Sequence, residues 1–313
     1  MNIAEMCRQD TGGQAFKIAR AVTAHTPHTS RNFRTSPDYL EFPGDIWLRK
    51  HDVAYVRQFL RTADIIHCHR CYKSPEGWQQ RGYRLNPKAR WLIHQHGRPG
   101  NMWKPWLKID RKRGAFRVVS TLNLLRYVGG DFERWVPAAV RLSEFDDLKA
   151  RYWKGIRRRG GKILVAHSPT RRDYKGTDHY LRAIAQLQSE GLNVHPLLIW
   201  QVSNKECLRL KSQADITYDQ MHLCYGNSGL EAMAFGQPTI VGPTGSARGW
   251  IKEHIGYEPY VHATPDTLTD RLRELVCDAD LRQHWGAKAR KYMETWHAEK
   301  VVAERVVKMY EKI

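Results

Sequence analysis

Tyr225-Gly-Asn-Ser-Gly-Leu-Glu-Ala-Met-Ala-Phe-Gly-Gln-Pro238, followed at once by Thr239-Ile-Val241, is the stretch that decides the architecture of this chain. Two glycines open an apolar helical pattern, a lone carboxylate stands at Glu231, and Gly236 with Pro238 closes the pattern before a strand. Backbone N–H groups at such a glycine-rich helix start can face phosphate oxygens, while a carboxylate one turn along accepts from ribose hydroxyls. The same residues also fit an ordinary helix capped by Asn227 or Ser228 and ended at Gly236. The partners of the stretch decide between these readings.

Working outward, short apolar runs alternate with helical periodicity. Residues 2–6 read as a strand, Thr11-Gly12-Gly13 as a turn, and residues 14 to about 25, with Phe16, Ile18, Ala19 and Val22 on one face, as a helix. Further strands are expected over 63–67, 90–94 and 116–120. After a basic segment from Lys149 to Lys162 the pattern restarts: a strand at 163–166, a helix marked by Tyr180, Leu181, Ile184 and Leu187, and strands at 194–200, 214–218 and 239–241. Strands alternating with helices call for parallel sheets covered on both faces. The chain is therefore read as α/β, with a Rossmann-like doubly wound domain over 1–150, a second over 151–296, and a closing helix over 297–313 that packs back on the first. Ligands are expected beyond the carboxyl ends of the strands, in a cleft that the two domains face.

A chain of 313 residues can bury two such cores without staples. Its six cysteines, Cys7, Cys68, Cys71, Cys207, Cys224 and Cys277, are scattered, and no signal peptide or membrane-length apolar run is visible, so reduced thiols and a cytoplasmic location are expected. The charge is more pointed. There are 51 Lys and Arg against 32 Asp and Glu, a net of +19, and residues 1–150 hold 26 of the bases against 14 of the acids. Two runs stand out: Arg98, Lys104, Lys108, Arg111, Lys112, Arg113 and Arg117, then Lys149, Arg151, Lys154, Arg157, Arg158, Arg159 and Lys162. Each alone reads as a solvated face; together with the net charge they imply a polyanionic partner.

The segment Ala166-His-Ser-Pro-Thr-Arg-Arg-Asp-Tyr-Lys-Gly-Thr177 leaves a strand and enters a helix. Arg171, Arg172 and Lys175 stand where the chain leaves the sheet, and cations there can neutralise a departing diphosphate. In so basic a protein they also fit plain surface cations; the strand-to-helix position favours function for Lys175 and one arginine. His67, His69 and Cys71 share a face if extended, which invites a metal reading, but no fourth ligand stands at a zinc-like spacing, and none is assigned. Trp103 and Trp106, interleaved with Arg98, Lys104 and Lys108, can stack on bases or sugars, or equally pack half-buried at the surface.

Taken together, His167-Ser-Pro-Thr, Arg172, Lys175-Gly-Thr, Ala214-Asp-Ile, Tyr218-Asp-Gln220 and the Tyr225–Pro238 stretch resemble the C-terminal domain of retaining GT-B glycosyltransferases of the group 1, two-glutamate-motif family. Thr11-Gly-Gly13, Ala63-Asp-Ile-Ile-His67, His94-Gln-His-Gly97 and Trp135-Val-Pro137 resemble N-terminal motifs of the same family. The resemblance is dense over 162–242 and thin before it. It implies a GT-B fold and transfer of a sugar, a hexose, from a nucleoside diphosphate such as a UDP-sugar to an acceptor hydroxyl, with retention and with no metal or other cofactor required. It implies that Arg172 and Lys175 hold the donor diphosphate beside Arg171, that Glu231 binds the ribose, and that Tyr225, Gly226, Asn227, Ser228 and Gly229 line the donor. Gly12 and Gly13 would approach the donor, and His96 would sit by the transferred sugar and the acceptor hydroxyl, with His94 its structural neighbour. One departure stands out: Leu223 occupies the place of the family's first glutamate, which leaves the grip on the sugar to another group, and Asp219 is the candidate.

The acceptor is read from charge. Arg98, Trp103, Lys104, Lys108, Arg111, Lys112 and Arg113 are its candidate contacts, and the reading leans to a hydroxymethylated pyrimidine in DNA, as in phage DNA glucosyltransferases. An enzyme on an anionic membrane surface, glycosylating an envelope polysaccharide or lipid-linked glycan, is the alternative. A non-catalytic nucleic-acid-binding protein on a degenerate transferase scaffold and a nucleotide-sugar epimerase are two more. Oligomeric state is not legible.

Overall fold

The computed structural model describes residues 1–10, 12–36, 40–47, 53–70, 82–96, 110–156, 159–221 and 224–313. They form two compact units, Met1–Val140 with Trp296–Ile313, and Arg141–Thr295. Sequence reading drew the division at residue 150.

The first unit is built on a parallel sheet of β1 (Asn2–Cys7), β2 (Thr29–Arg34), β3 (Ile46–Trp47), β4 (Ile65–Arg70), β5 (Arg90–Gln95) and β6 (Phe116–Val119), in the order β3-β2-β1-β4-β5-β6. Alternation along each strand sends neighbouring side chains to opposite faces. Ile3, Ile65, Leu92 and Val118 therefore bury against Ile18, Ala21 and Val22 of α1 (Gln14–His25) and against Val302, Val306, Met309 and Tyr310 of the C-terminal helix, Glu299–Lys312. Ala4, Met6, Phe33 and Ile66 bury on the other face with Val56, Phe59 and Leu60 of α2 (Val53–Thr62). Each such fully buried aliphatic contributes on the order of 2 kcal/mol. The closing helix belongs to this unit, as expected: Arg20 donates to Glu299 at 2.6 Å, and the Val140 amide donates to the His297 carbonyl at 2.7 Å. The order reverses between β1 and β4, the place where such sheets offer a crevice at their carboxyl ends.

The second unit contains α3 (Leu142–Tyr152), β7 (Ile163–His167), α4 (Arg172–Lys175), α5 (Thr177–Ser189), β8 (Val194–Leu198), α6 (Asn204–Lys211), β9 (Ile216–Met221), α7 (Asn227–Ala234), β10 (Thr239–Gly242), α8 (Gly245–Ile255), β11 (Val261–His262), α9 (Leu268–Cys277) and α10 (Ala279–Tyr292). Its sheet is parallel, in the order β11-β10-β9-β7-β8, and reverses between β7 and β9. Val165, Ile216, Tyr218 and Ile240 pack with Tyr180, Ile184 and Leu187 of α5 and with Leu268, Leu272 and Leu275 of α9. α3 goes with this unit because Phe145 meets Phe235 edge-on at 4.8 Å and Lys149 donates to the Phe235 carbonyl at 2.8 Å. Arg159, one of the run of bases, is spent on structure: both oxygens of Asp215 accept from it at 2.6 Å. Cys207, Cys224 and Cys277 are free thiols. No described helix is long and apolar enough to cross a membrane.

α7 and α10 meet at glycine. A Cβ on Gly286 would lie 2.4 Å from the Gly236 carbonyl oxygen, a backbone atom that has no rotamer to yield. Gly286→Ala is expected to destabilise the second unit by about 1–3 kcal/mol, measured as a lowered urea midpoint, while Gly249→Ala, with open space around its Cβ, is expected to be neutral or mildly stabilising.

Candidate functional site

The carboxyl ends of β7 and β9 stand side by side at the reversal of the second sheet, and the sequence-predicted donor residues gather there. The chain leaves β7 through His167 and Ser168, forms the single turn α4, and reverses at Gly176, where φ is 74° and a Cβ would strike the Tyr218 hydroxyl. That hydroxyl donates to the Lys175 carbonyl at 3.1 Å and fixes the turn. Lys175 Nζ donates to Gln220 Oε1 and lies 3.9 Å from Asp219 Oδ1. Asp219 is 1% exposed; its Oδ2 accepts the Gly226 amide at 2.6 Å, and its Oδ1 is buried with no hydrogen-bond partner among the described residues.

This geometry explains the glycines of the opening stretch. Gly226 has an extended φ of −98°, open to any residue, so its constraint is space: a Cβ there would lie 3.1 Å from Lys175 Nζ. At Gly229 a Cβ would lie 2.8 Å from Asp219 Oδ2. The capping reading is corrected: Asn227 and Ser228 are the first residues of α7, Gly226 is the N-cap, and no side chain caps the helix, because Ser228 Oγ instead bonds Ser168 Oγ at 2.7 Å. The helix start thus keeps the partial positive charge of its backbone amides. The Gly226 amide, expected to face phosphate, is taken by Asp219. Tyr225 is buried, its hydroxyl bonded to that of Tyr292.

Glu231 lies beneath the same helix. Its Oε2 accepts from Lys211 at 2.6 Å and its Oε1 from Asn204 at 3.2 Å. Lys211 is fully buried; burial opposes its charge, but Glu231 outweighs that and raises its pKa. Lys211 also donates to Ser228 Oγ at 3.2 Å. His167 is buried between the Tyr218 carbonyl and Thr177 Oγ1, and burial lowers its pKa to about 3, so it is neutral at pH 7. Arg172 stands over the Trp200 ring at 5.3 Å, whereas Arg171 is exposed and paired with Asp173. Lys211, Asn204 and Gln220 were missed as site residues; the signal for Gln220 was two polar residues, Asp219 and Gln220, ending a wholly buried strand.

In the first unit, Gly12 and Gly13 have φ of 107° and 67°, and Gly13 starts α1. The next amides are already committed: Asp10 accepts from Ala15 at 3.0 Å and Phe16 at 2.8 Å. His96 is half-buried past β5, beside His69 at 3.0 Å. His67, His69 and His94 offer ligand atoms within 4.8 Å of one another, a group in which His94 takes the place given to Cys71 in the sequence reading. Arg111 and Lys112 are exposed, and Arg113 stacks on Trp91 at 4.7 Å. Arg117 has its pKa lowered by burial and by Arg111 and Arg134, a local crowd of positive charge. Thr11, Cys71, Gly97, Arg98, Trp103, Lys104, Trp106, Lys108, Arg157, Arg158 and Leu223 lie outside the described residues.

Removing one partner of a buried ion pair leaves the other uncompensated. Lys211→Met is expected to cost about 3–5 kcal/mol of stability, and adding Glu231→Gln to recover part of it, a coupling measurable in a double-mutant cycle by urea unfolding.

With the geometry laid out, comparison with known proteins places it. The family model for glycosyl transferases group 1 matches residues 175–292, a span that takes in Lys175, Asp219, the Tyr225–Gly229 turn and Glu231. The whole chain is similar in fold to Anabaena HepE solved with UDP and glucose, at 12% identity, 100% coverage of both chains and a TM-score of 0.65. It is similar to a glycosyltransferase from Rickettsia africae, at 12% identity, covering 99% of this chain and 97% of that one, with a TM-score of 0.64. Sucrose-phosphate synthase from Thermosynechococcus elongatus is 15% identical, with 99% and 98% coverage and a TM-score of 0.62. No curated protein matches the sequence. Residues 175–292 of the second unit thus match glycosyl transferases group 1, and the chain as a whole has the GT-B fold.

Proposed function

We propose that the protein transfers a hexose from a UDP-sugar to a hydroxyl of a polyanionic acceptor, with retention of anomeric configuration. The observation that carries the donor half is the convergence, at the β7/β9 reversal, of Lys175, the uncapped start of α7 and Glu231. The diphosphate lies against Lys175, Arg172 and the amides of Asn227 to Gly229, whose positive charge stabilises it as it leaves, with no metal required. Glu231 takes the ribose: an ionised carboxylate accepts about four hydrogen bonds, and Lys211 and Asn204 use one each. Asp219, whose Oδ1 is buried with no hydrogen-bond partner among the described residues, is the candidate to serve the sugar in place of the family's first glutamate. UDP or UDP-glucose bound to Anabaena HepE, a protein of the same fold, supports the choice of donor. In the first unit, His96 is the residue proposed to meet a substrate hydroxyl.

The net charge of +19 and the crowding of Arg111, Arg117 and Arg134 support a polyanion, and DNA containing hydroxymethylated pyrimidines is the acceptor proposed. The test is mass analysis of such DNA after incubation with a panel of UDP-sugars. A hexose mass gain is expected, lowered about 100- to 1,000-fold in rate by Lys175→Ala. No gain on DNA, with transfer to lipid-linked glycan on anionic vesicles, overturns the acceptor but keeps the enzyme; donor use unaffected by Lys175→Ala overturns the site.

A further inference from the structure

The reversal point of the first sheet holds a second constellation. Glu5 lies in the carboxyl half of β1, His67 and His69 lie in β4, His94 and His96 stand at the end of β5, and Tyr310 belongs to the C-terminal helix. Glu5, His67 and His94 are wholly buried and His69 is 5% exposed. Glu5 Oε1 accepts from the Tyr310 hydroxyl at 2.8 Å and Glu5 Oε2 from His69 Nε2 at 2.7 Å, while His67 Nδ1 lies 2.8 Å from Glu5 Oε2 and is hydrogen-bonded to the Tyr310 hydroxyl at 2.6 Å. The far nitrogens of the two rings continue outward: His67 Nε2 faces His94 Nδ1 at 3.2 Å, and His69 Nδ1 faces His96 Nε2 at 3.0 Å.

One branch has its protons fixed. An ionised carboxylate only accepts, so His69 Nε2 must be the donor to Glu5. In a neutral ring His69 Nδ1 is then bare, which makes His96 Nε2 the donor to it. That chain stops at His96 Nδ1, a lone pair on a half-buried residue. The His67 branch has two solutions, because the Tyr310 hydroxyl can donate to Glu5 or to His67 Nδ1; it ends at His94 Nε2, buried with no hydrogen-bond partner among the described residues.

We propose that Glu5, acting through His69, positions His96 as a neutral imidazole that presents its bare Nδ1 as a hydrogen-bond acceptor to a substrate hydroxyl. This rests on the reading of His96 as a substrate-facing residue. Glu5 and His69 are positioning residues, since they act through His96. The electrostatics agree. Burial alone would raise the Glu5 carboxyl, but His67 and His69 lower its pKa to about 2. Burial, reinforced by His69 and His67, holds His96 well below the ordinary imidazole value, and burial with His96, His69 and His67 does the same for His94. Asp10 faces His69 from the loop before α1; burial raises its pKa against the pull of His69 and Lys17, and its two oxygens are taken by the Ala15 and Phe16 amides. His67, His69 and His94 also offer ligand atoms within 4.8 Å of one another, and a metal there would compete with the hydrogen bonds that their ring nitrogens already make.

The test reads the tautomers directly, by nitrogen-15 NMR of the full-length protein labelled at histidine, at pH 7. Protonated Nε2 in His69 and His96 is expected; a protonated Nδ1 or an imidazolium at His96, or zinc retained in stoichiometric amount on ring nitrogens, overturns the proposal. Kinetics give a second readout. Glu5→Gln is expected to lower kcat about 10- to 100-fold with donor KM unchanged. It removes the charge that favours protonation of the rings, so the acid limb of the pH profile moves to lower pH. His69→Gln, whose amide can accept from His96 and donate to Glu5, is expected to retain more activity than His69→Ala. Unchanged kcat and pH profile in Glu5→Gln overturn the proposal while loss of transfer in His96→Ala upholds the reading beneath it; full transfer by His96→Ala overturns that reading itself, and the tautomers still decide whether the chain exists.

Discussion

A buried carboxylate under a glycine turn organises the proposed donor site of this protein. Asp219 has lost its water, and an ionised group in that position must be repaid by donors and cations close at hand. It takes the Gly226 amide at 2.6 Å and faces Lys175 at 3.9 Å, and from those two contacts the rest follows. The turn must pass so near that residues 226 and 229 carry no side chain, α7 must start where it does, and Lys175 is held with its ammonium at the reversal of the sheet. Glycines that serve a phosphate site in such folds thus answer first to a carboxylate of the protein itself. The proposed diphosphate site beside Lys175 thus offers a cation already ordered and a helix start whose amides no side chain has capped.

The first unit repeats the principle with different chemistry. There too a carboxylate is buried at the strand end where the sheet order reverses, and there too it dictates the state of its neighbours. Glu5 has imidazoles and a phenol to satisfy it instead of an amide and an ammonium. Because imidazole is both donor and acceptor, the order imposed at Glu5 passes through one ring to the next, which an ammonium could not do. Topology explains why both carboxylates sit where they do: only at the reversal do adjacent strands send their following loops apart and leave the strand ends uncovered.

Much of this was legible in the sequence. Runs such as Ile163 to Ala166 and Thr239 to Val241 declared buried parallel strands, and the helix over Gln14–His25 was visible from Ile18, Ala19 and Val22. β2, reading Thr-Ser-Arg-Asn-Phe-Arg, was not, because it is buried by hydrogen bonding: Asn32 donates to the Glu5 carbonyl and Ser30 pairs with Thr23. At the candidate site, local motif reading singled out Lys175, Asp219 and Glu231 but not Lys211, whose burial depends on a partner twenty residues away. Glu5 was invisible for the same reason, being joined to His69 and Tyr310 across 64 and 305 residues. Spacing reveals groups that share a turn or a face; it is silent on groups that meet only when strands are laid in a non-sequential order.

Titration of UDP into the nitrogen-15-labelled protein, followed at the backbone amides, tests the donor site most directly. Saturable shifts centred on Asn227, Ser228 and Gly229, lost in Lys175→Ala, are the result predicted. UDP binding that leaves those amides unmoved, or that persists unchanged without the Lys175 ammonium, would contradict it.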